Sequence, residues 1–264
     1  MVSIWRYPVK SMMGEELNAS DVSERGLMGD RAYALVDQAT GKVASAKNPR
    51  KWGNLFDFRA SFVEPPRIGA KLPDVRIDLP DGDVVTSGRL DADRLLSQAV
   101  GAQVRLMTPS LEEPTYEEYW PDIEGASSRD KVTDELMPSR TFFDLATIHL
   151  LTTATTDRLR ELYPEGRFEA RRFRPNIVIE PHPAAKDFVE NGWIDQVLRI
   201  GEDVRLRISK LCGRCVMTTL AQGDLPGDLG ILRAASIHNH GKVGAYASVE
   251  RGGIITRGDL VWLE

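Results

Sequence analysis

The sequence predicts a mainly β, α+β protein built as two β-barrel-like units with a few short helices. Short apolar or alternating runs recur at close spacing, and tight-turn dipeptides separate them. Only two or three segments carry helix start and stop signals, and the strand–helix rhythm of a doubly wound sheet is missing.

The elements follow in order. Residues 2–7 read as a strand that Pro8 stops. Residues 32–37 and 42–45, joined through Ala39-Thr40-Gly41, read as a hairpin. Over 56–62, Phe56, Phe58, Ala60 and Phe62 alternate with Asp57, Arg59 and Ser61, the pattern of a strand with one buried face. Residues 75–79 and 84–86 flank Asp81-Gly82, a strong turn signal. Asp91 caps a helix through Leu95, Leu96 and Ala99 that Gly101 ends, and 104–107 is a closing strand.

Over 108–128 the composition changes, mixing Pro109, Pro114, Pro121 and Gly125 with acidic residues and with Tyr116, Tyr119 and Trp120. This stretch is expected to be a linker or a long ordered loop whose aromatics anchor it to the surface. It divides an amino-terminal domain, 1–107, from a carboxy-terminal domain, 129–264. The second domain opens with 141–151 and a helix over 153–163. Strands are expected at 177–180, 197–200 and 204–208, and again at 244–250 and 260–263, where Gly252-Gly253 and Gly258-Asp259 make turns.

Bulk properties exclude several classes. Of 264 residues, 34 are basic and 39 acidic, a net charge of −5 that argues against a general binder of nucleic acid or anionic membranes. A local basic pocket for a small anion stays compatible with it. No apolar run reaches the roughly 18 residues of a membrane span, and the amino terminus lacks the layout of a signal peptide, so a cytoplasmic protein is expected. There is no Walker A pattern, no Gly-x-Gly-x-x-Gly and no Gly-x-Ser-x-Gly, hence no recognisable nucleotide, nicotinamide or flavin site. Two cysteines cannot furnish the four thiolates of a ferredoxin-type cluster, so a redox enzyme of this sequence would draw electrons from another protein.

The two cysteines carry the chemistry. Cys212-Gly213-Arg214-Cys215 sits between apolar stretches, and four readings stay open. The pair can form a redox disulfide, although β-branched residues rather than a helix follow it. It can hold zinc with His238 and His240, although the spacing fits no common finger. It can be two buried thiols without function. Or Arg214, beside a thiol, can lower its pKa to give a thiolate for a soft metal or a persulfide, while its guanidinium binds an anionic cofactor.

Five ordered segments resemble one family. Cys212-Gly213-Arg214-Cys215-Val216-Met217-Thr218-Thr219 is similar to the Cys-Ser-Arg-Cys…Thr-Thr signature of the MOSC domain, named for the carboxy-terminal domain of molybdenum cofactor sulfurase. Arg172-Phe173-Arg174-Pro175-Asn176-Ile177-Val178 and Phe188-x-Glu190-Asn191-x-Trp193 resemble two further MOSC segments. Tyr7-Pro8-Val9-Lys10-Ser11 and Gly26-Leu27-x-Gly29-Asp30-Arg31 look like the β-barrel domain that precedes MOSC domains. The layout is most similar to the amidoxime-reducing molybdenum proteins and their bacterial counterparts.

The resemblance implies a molybdenum cofactor held between two β-rich domains. It implies Cys215 as the molybdenum ligand, Lys10, Ser11 and Arg31 on the cofactor phosphate, and Arg174, Asn176 and Arg214 on the pterin or its anionic groups. Asp144 and His149 fall in a stretch lining the same pocket and are candidate catalytic groups. The implied activity is reduction of a small N-hydroxylated substrate, with electrons from an external flavin or iron–sulfur protein. A sulfur carrier using a Cys215 persulfide, or a cofactor-binding protein without turnover, are the alternatives. The sequence departs from the family where Leu220-Ala221 follows Thr-Thr, where Asn191-Gly192 stands, and in the short 219–244 stretch.

Overall fold

The structure is a computed structural model that describes residues 1–123 and 130–264. Strands hold 35% of the residues and the four α-helices are short, so the β-rich α+β class expected from the sequence is the class adopted. Its largest element is an eight-stranded sheet ordered Val261–Leu263, Val197–Ile200, Val204–Gly213, Lys242–Arg251, Ile148–Thr152, Ile177–Ile179, Ser3–Arg6 and Glu15–Leu17. Strands from the first 17 residues thus complete a sheet whose other members lie beyond residue 147.

Neighbours in this sheet run antiparallel except Ile148–Thr152 and Ile177–Ile179, which pair in parallel with Leu150 opposite Ile177. A parallel pair needs a crossover, and the helix Thr153–Leu162 supplies it. Strands covered on both faces carry continuous apolar runs, and every residue of Ile148–Thr152 is buried. The Thr152 hydroxyl accepts from the Thr155 amide at 3.2 Å, so the strand's last residue is also the helix cap.

Two apolar cores divide the interior. One draws only on residues 9–104, among them Val9, Leu55, Phe58, Ile77 and Leu96. The other joins Ile4, Val22 and Leu27 to Ile148, Ile177, Leu206 and Ala247. Fully burying each such aliphatic side chain stabilises the fold by about 1.5–3 kcal/mol, which is why the amino-terminal strands stay with the later sheet. Gly253–Thr256 also pairs with Ala19–Ser23, tying the end of the second core to the beginning of the chain.

Several sequence expectations hold nearly to the residue. The capped helix is Ala92–Val100, ended by Gly101 in the left-handed region at φ 83°. Val75–Asp78 and Val84–Thr86 form the hairpin around Gly82. Ala34–Asp37 closes on 42–44 as expected, around an antiparallel Val36–Val43 bridge. The Asp37 amide donates to Lys42 O at 2.9 Å and the Ala44 amide to Leu35 O at 2.8 Å. On its other side the strand pairs with Val104–Met107, a partner the sequence did not indicate. Other expectations change. Gly53–Asp57 is a 3₁₀ helix burying Leu55 and Phe56, and only Arg59–Phe62 is strand. The helix Gly230–Asn239, not expected from the sequence, buries Ile231, Leu232, Ala234 and Ala235. Within 108–128, Thr115–Trp120 is a strand paired with Lys131–Leu136. Gly125, named there as a loop signal, lies outside the described residues. Among the described residues no helix is long and apolar enough to cross a membrane.

Candidate functional site

A cavity of about 740 Å³ opens where the Thr115–Trp120 hairpin faces the ends of the large sheet. Eight basic but only three acidic side chains line it, an excess of positive charge in a chain whose net charge is −5. Of the residues singled out from the sequence, Lys10, Arg31, Asp144, His149, Arg174, Asn176, Arg214 and Cys215 all line this cavity. Ser11 does not: it sits at φ 64° with its hydroxyl turned inward to accept from the Ala46 amide at 3.1 Å.

Cys215 follows the long Val204–Gly213 strand and caps the 3₁₀ helix Val216–Thr219. Both cysteines are free; Cys212 is buried inside the strand, whereas Cys215 is half-buried at the cavity. Burial pushes the Cys215 thiol up to about 12, and Glu118 adds to the rise. The expectation that Arg214 lowers this pKa is therefore corrected. The Arg214 guanidinium is spent elsewhere, donating to Val243 O at 2.9 Å, to Phe173 O at 3.1 Å and to His149 Nε2. Lys47, rather than Arg214, is the charged side chain that opposes the rise, and a bound cation would favour the thiolate further.

His149 is locked by the same contact. Its Nε2 accepts from Arg214, which assigns the remaining proton to Nδ1, and burial followed by the Arg214 charge holds its pKa well below the usual value. In the unfolded chain this ring takes up a proton near the ordinary histidine value of about 6.5. Below that pH the unfolded state binds more protons than the folded one, so stability falls as pH falls. Lowering the pH from about 7.5 to 5.5 is expected to cost the wild type roughly 1 kcal/mol more than His149→Gln, read by urea unfolding at both pH values. Equal losses would show that His149 protonates without cost in the fold.

One wall is a buried ionic network. Lys10 Nζ lies 2.5 Å from Asp144 Oδ1 and donates to Phe142 O at 3.0 Å. Lys47 Nζ lies 3.4 Å from Asp144 Oδ2 and 3.1 Å from Glu118 Oε2, and donates to the Tyr116 hydroxyl at 2.9 Å. Burial alone would raise the Asp144 carboxyl, but Lys10 and Lys47 hold it well below the usual carboxylate range. Lys47, Tyr116 and Glu118 were not anticipated as site residues. The only signal was Tyr116, noted as an aromatic anchor, and nothing in the sequence separates Lys47 from a surface lysine.

The opposite wall is a relay of hydrogen bonds. Asp30 accepts from Arg31, from the Tyr7 amide at 2.8 Å and from Asn176 Nδ2 at 2.9 Å. Asn176 Oδ1 accepts from the His149 amide at 3.0 Å, and its Nδ2 also reaches Trp5 O at 3.3 Å. The amide of Asn176 is thus engaged inside the protein, joining the first strand to the two central ones. Arg174, at φ 53°, stacks its guanidinium 4.1 Å from the Tyr7 ring centroid, with Arg31 4.7 Å from the same centroid. Its Nη1 is buried without a hydrogen-bond partner, and burial lowers its pKa to about 10. A buried guanidinium nitrogen without a hydrogen-bond partner, on a side chain that lines a cavity of net positive charge, suits a pocket for an anion.

Zinc chemistry has no protein ligand set among the described residues, where no three His, Cys, Asp or Glu side chains converge to hold a metal. His238 is exposed, and only His240 of that pair reaches the cavity. A metal on Cys215 would need its remaining ligands from a bound cofactor. The residues present fit such a group: one accessible soft donor, an unpartnered buried cation and a cavity of net positive charge.

The fold and site describe a β-rich protein with a cationic cavity, lined by one half-buried thiol, at the ends of its large sheet. Residues 138–262 match the family model of the MOSC domain, and residues 1–62 match that of the MOSC N-terminal beta barrel domain. The chain belongs to the MOSC-domain family, some of whose members bind the molybdenum cofactor. It is 25% identical over 247 residues to a molybdenum cofactor sulfurase of Oryza sativa subsp. japonica, a match covering 83% of this chain and 28% of that protein. The chain therefore spans little more than a quarter of that relative's length. Among solved structures it is similar to the YuaD protein of Bacillus subtilis, with 11% identity, 99% and 92% of the two chains covered and a TM-score of 0.49. YiiM of Geobacillus stearothermophilus matches with 17% identity over 45% of this chain and 54% of its own, with a TM-score of 0.35.

Proposed function

We propose that the cavity binds the molybdenum cofactor, with Cys215 as a thiolate ligand of molybdenum. On this reading the protein is an oxidoreductase for small N-hydroxylated or similarly N-oxygenated substrates, with electrons from a separate flavin or iron–sulfur protein. The observation that carries the reading is Arg174, a buried cation whose Nη1 has no hydrogen-bond partner, lining the same cavity as the half-buried Cys215 thiol. Arg174, Arg31 and Lys10 would hold the phosphate and other anionic groups of molybdopterin, drawing on residues 1–107 and 129–264 as the two proposed domains. When bound, the cofactor supplies two-electron oxygen-transfer chemistry that these side chains lack.

The chain's own groups then divide into roles. Asp144, kept ionised by Lys10 and Lys47, is no proton donor at neutral pH; it sets the positions of the two ammonium groups. His149, kept neutral, holds Arg214 against the carbonyls of Val243 and Phe173. Asn176 and Asp30 position Arg31 rather than touching the pterin. Ser11 shapes the turn beside Lys10.

A second reading is a sulfur carrier or sulfurtransferase with a persulfide on Cys215. It is favoured by the sulfurase name of the rice relative and by a thiol that is free and reachable from the cavity. Molybdenum content of protein purified from a cofactor-competent host, measured beside Cys215→Ser, tests both. Near-stoichiometric metal in the wild type, lost or displaced in Cys215→Ser, together with amidoxime reduction by an artificial electron donor, is the expected result. Metal-free protein carrying one extra sulfur on Cys215 would replace the first reading with the second. Bound metal without turnover would leave a cofactor-binding protein.

A further inference from the structure

We infer that Lys210 and Lys242 form an anion-receiving subsite, so that the substrate of this cavity is a small molecule carrying a carboxylate or phosphate group. The inference rests on the proposed oxidoreductase reading and adds the substrate class to it.

The other cations of the cavity are accounted for. Lys10 and Lys47 face Asp144 and Glu118, Arg31 faces Asp30, and Arg172 and Arg214 donate to backbone carbonyls. Arg174 stacks on Tyr7 at the cofactor end. Lys210 and Lys242 line the same cavity, yet neither has an ion pair or a hydrogen bond from its ammonium among the described residues. Of the three lining carboxylates, Asp144 and Glu118 are paired as above, while Glu135 accepts from the Thr133 hydroxyl at 2.7 Å and keeps its charge. The two lysine ammonium groups outnumber that one carboxylate, and an excess of positive charge in a concave site raises the local concentration of anions.

Their placement follows from strand pairing. Lys210 stands opposite Tyr246, and Lys242 stands opposite Gly213. A bulge between Ile208 and Lys210 interrupts the alternation and leaves Ser209 and Lys210 both exposed. At Gly213 a side chain is missing, and the Lys242 ammonium lies 3.3 Å from where a Cβ would stand. The charge therefore rests over the backbone of the Cys-Gly-Arg-Cys turn, two residues from Cys215. Leu211, Leu232 and Tyr246 complete the lobe with apolar surface. A flat apolar body with an anionic end fits that combination, its body on the leucines and tyrosine and its charge on the lysines. These lysines come from the 204–213 and 242–251 strands, whereas the groups assigned to the cofactor phosphate come from the first 31 residues and Arg174.

The test uses the purified holoprotein and a matched pair of ligands, benzamidoxime and 4-carboxybenzamidoxime, with dissociation constants from titration calorimetry and molybdenum content measured in parallel. The carboxylate is expected to bind about tenfold tighter to the wild type, an advantage that shrinks with added salt. Lys210→Gln/Lys242→Gln is expected to remove that advantage while keeping full molybdenum content and unchanged affinity for the neutral ligand. Gly213→Ser, which pushes the Lys242 ammonium aside, is expected to remove part of it. Equal binding of the two ligands to the wild type, a preference that survives in the double variant, or molybdenum loss in that variant would each overturn the subsite. A lysine-dependent preference in a protein that reduces neither ligand would sink the oxidoreductase reading and leave the subsite standing.

Discussion

Arg172→Met is expected to lower the unfolding free energy by on the order of 4 kcal/mol and to loosen the segment after Cys215 before the rest of the protein unfolds. Arg172 is 1% exposed, yet none of its bonds goes to a carboxylate. Its guanidinium donates to Arg167 O at 2.6 Å, Thr218 O at 3.3 Å, Leu220 O at 3.1 Å and Pro226 O at 2.7 Å. Three of those carbonyls belong to the chain that leaves Cys215. Methionine fills much of the volume and supplies no donor, so up to four inward carbonyls lose a partner at about 1–3 kcal/mol each, less whatever water recovers. Urea unfolding measures the global loss, and the rate of Cys215 labelling by a thiol reagent under native conditions measures the local one. Labelling should accelerate in Arg172→Met even where global unfolding is negligible. A loss below about 1 kcal/mol with unchanged labelling would mean that these carbonyls do not depend on the arginine.

Arg172 also shows where sequence reading stops. In the sequence it is one arginine of an Arg-Arg-Phe-Arg run with no role of its own, whereas the resemblance assigns Arg174 to the cofactor. The fold makes one a carbonyl clamp and the other, at a left-handed turn, a cation stacked on Tyr7 with an unpartnered Nη1. Local periodicity found the elements whose partners are close in sequence: the helix at 92–100 and the hairpin at Gly82. It missed the pairing of 34–37 with 104–107, because strand pairing over such a separation leaves no local pattern. The 230–239 helix escaped because a glycine opens it and short apolar runs alone do not distinguish helix from strand. The site was legible through ordered motifs, which named eight of the cavity's lining residues. Lys47 and Glu118 were not legible, since their roles depend on a hairpin read as linker. The effect of Arg214 on Cys215 was not legible either, for a physical reason: the guanidinium turns to Val243 O, Phe173 O and His149 Nε2.

Asp30→Ala is expected to cost about 3–5 kcal/mol, the loss typical of a buried ion pair deprived of one partner. The Asp30 side chain is fully buried and accepts from three directions, so its removal orphans the Tyr7 amide and one Asn176 hydrogen and leaves Arg31 beside Arg174 without a counterion. Asp30→Asn should be nearly as harmful, because an amide NH₂ would then face donors on Arg31 or Asn176. The informative variant is the exchange, Asp30→Asn with Asn176→Asp. A carboxylate at 176 can still accept from the His149 amide and can accept from the new amide at 30, so that link of the chain closes again, although Trp5 O loses its donor. The negative charge has moved away from Arg31, however. Partial recovery in chemical denaturation, about half the single-variant loss, is the expected outcome, reflecting a restored hydrogen bond and an unrestored ion pair. Full recovery would show that Arg31 needs no counterion in the protein as purified, the behaviour of a cation already satisfied by a bound anion. No recovery would show that the geometry at Asp30, rather than its hydrogen bonds, holds the first strand against the central two.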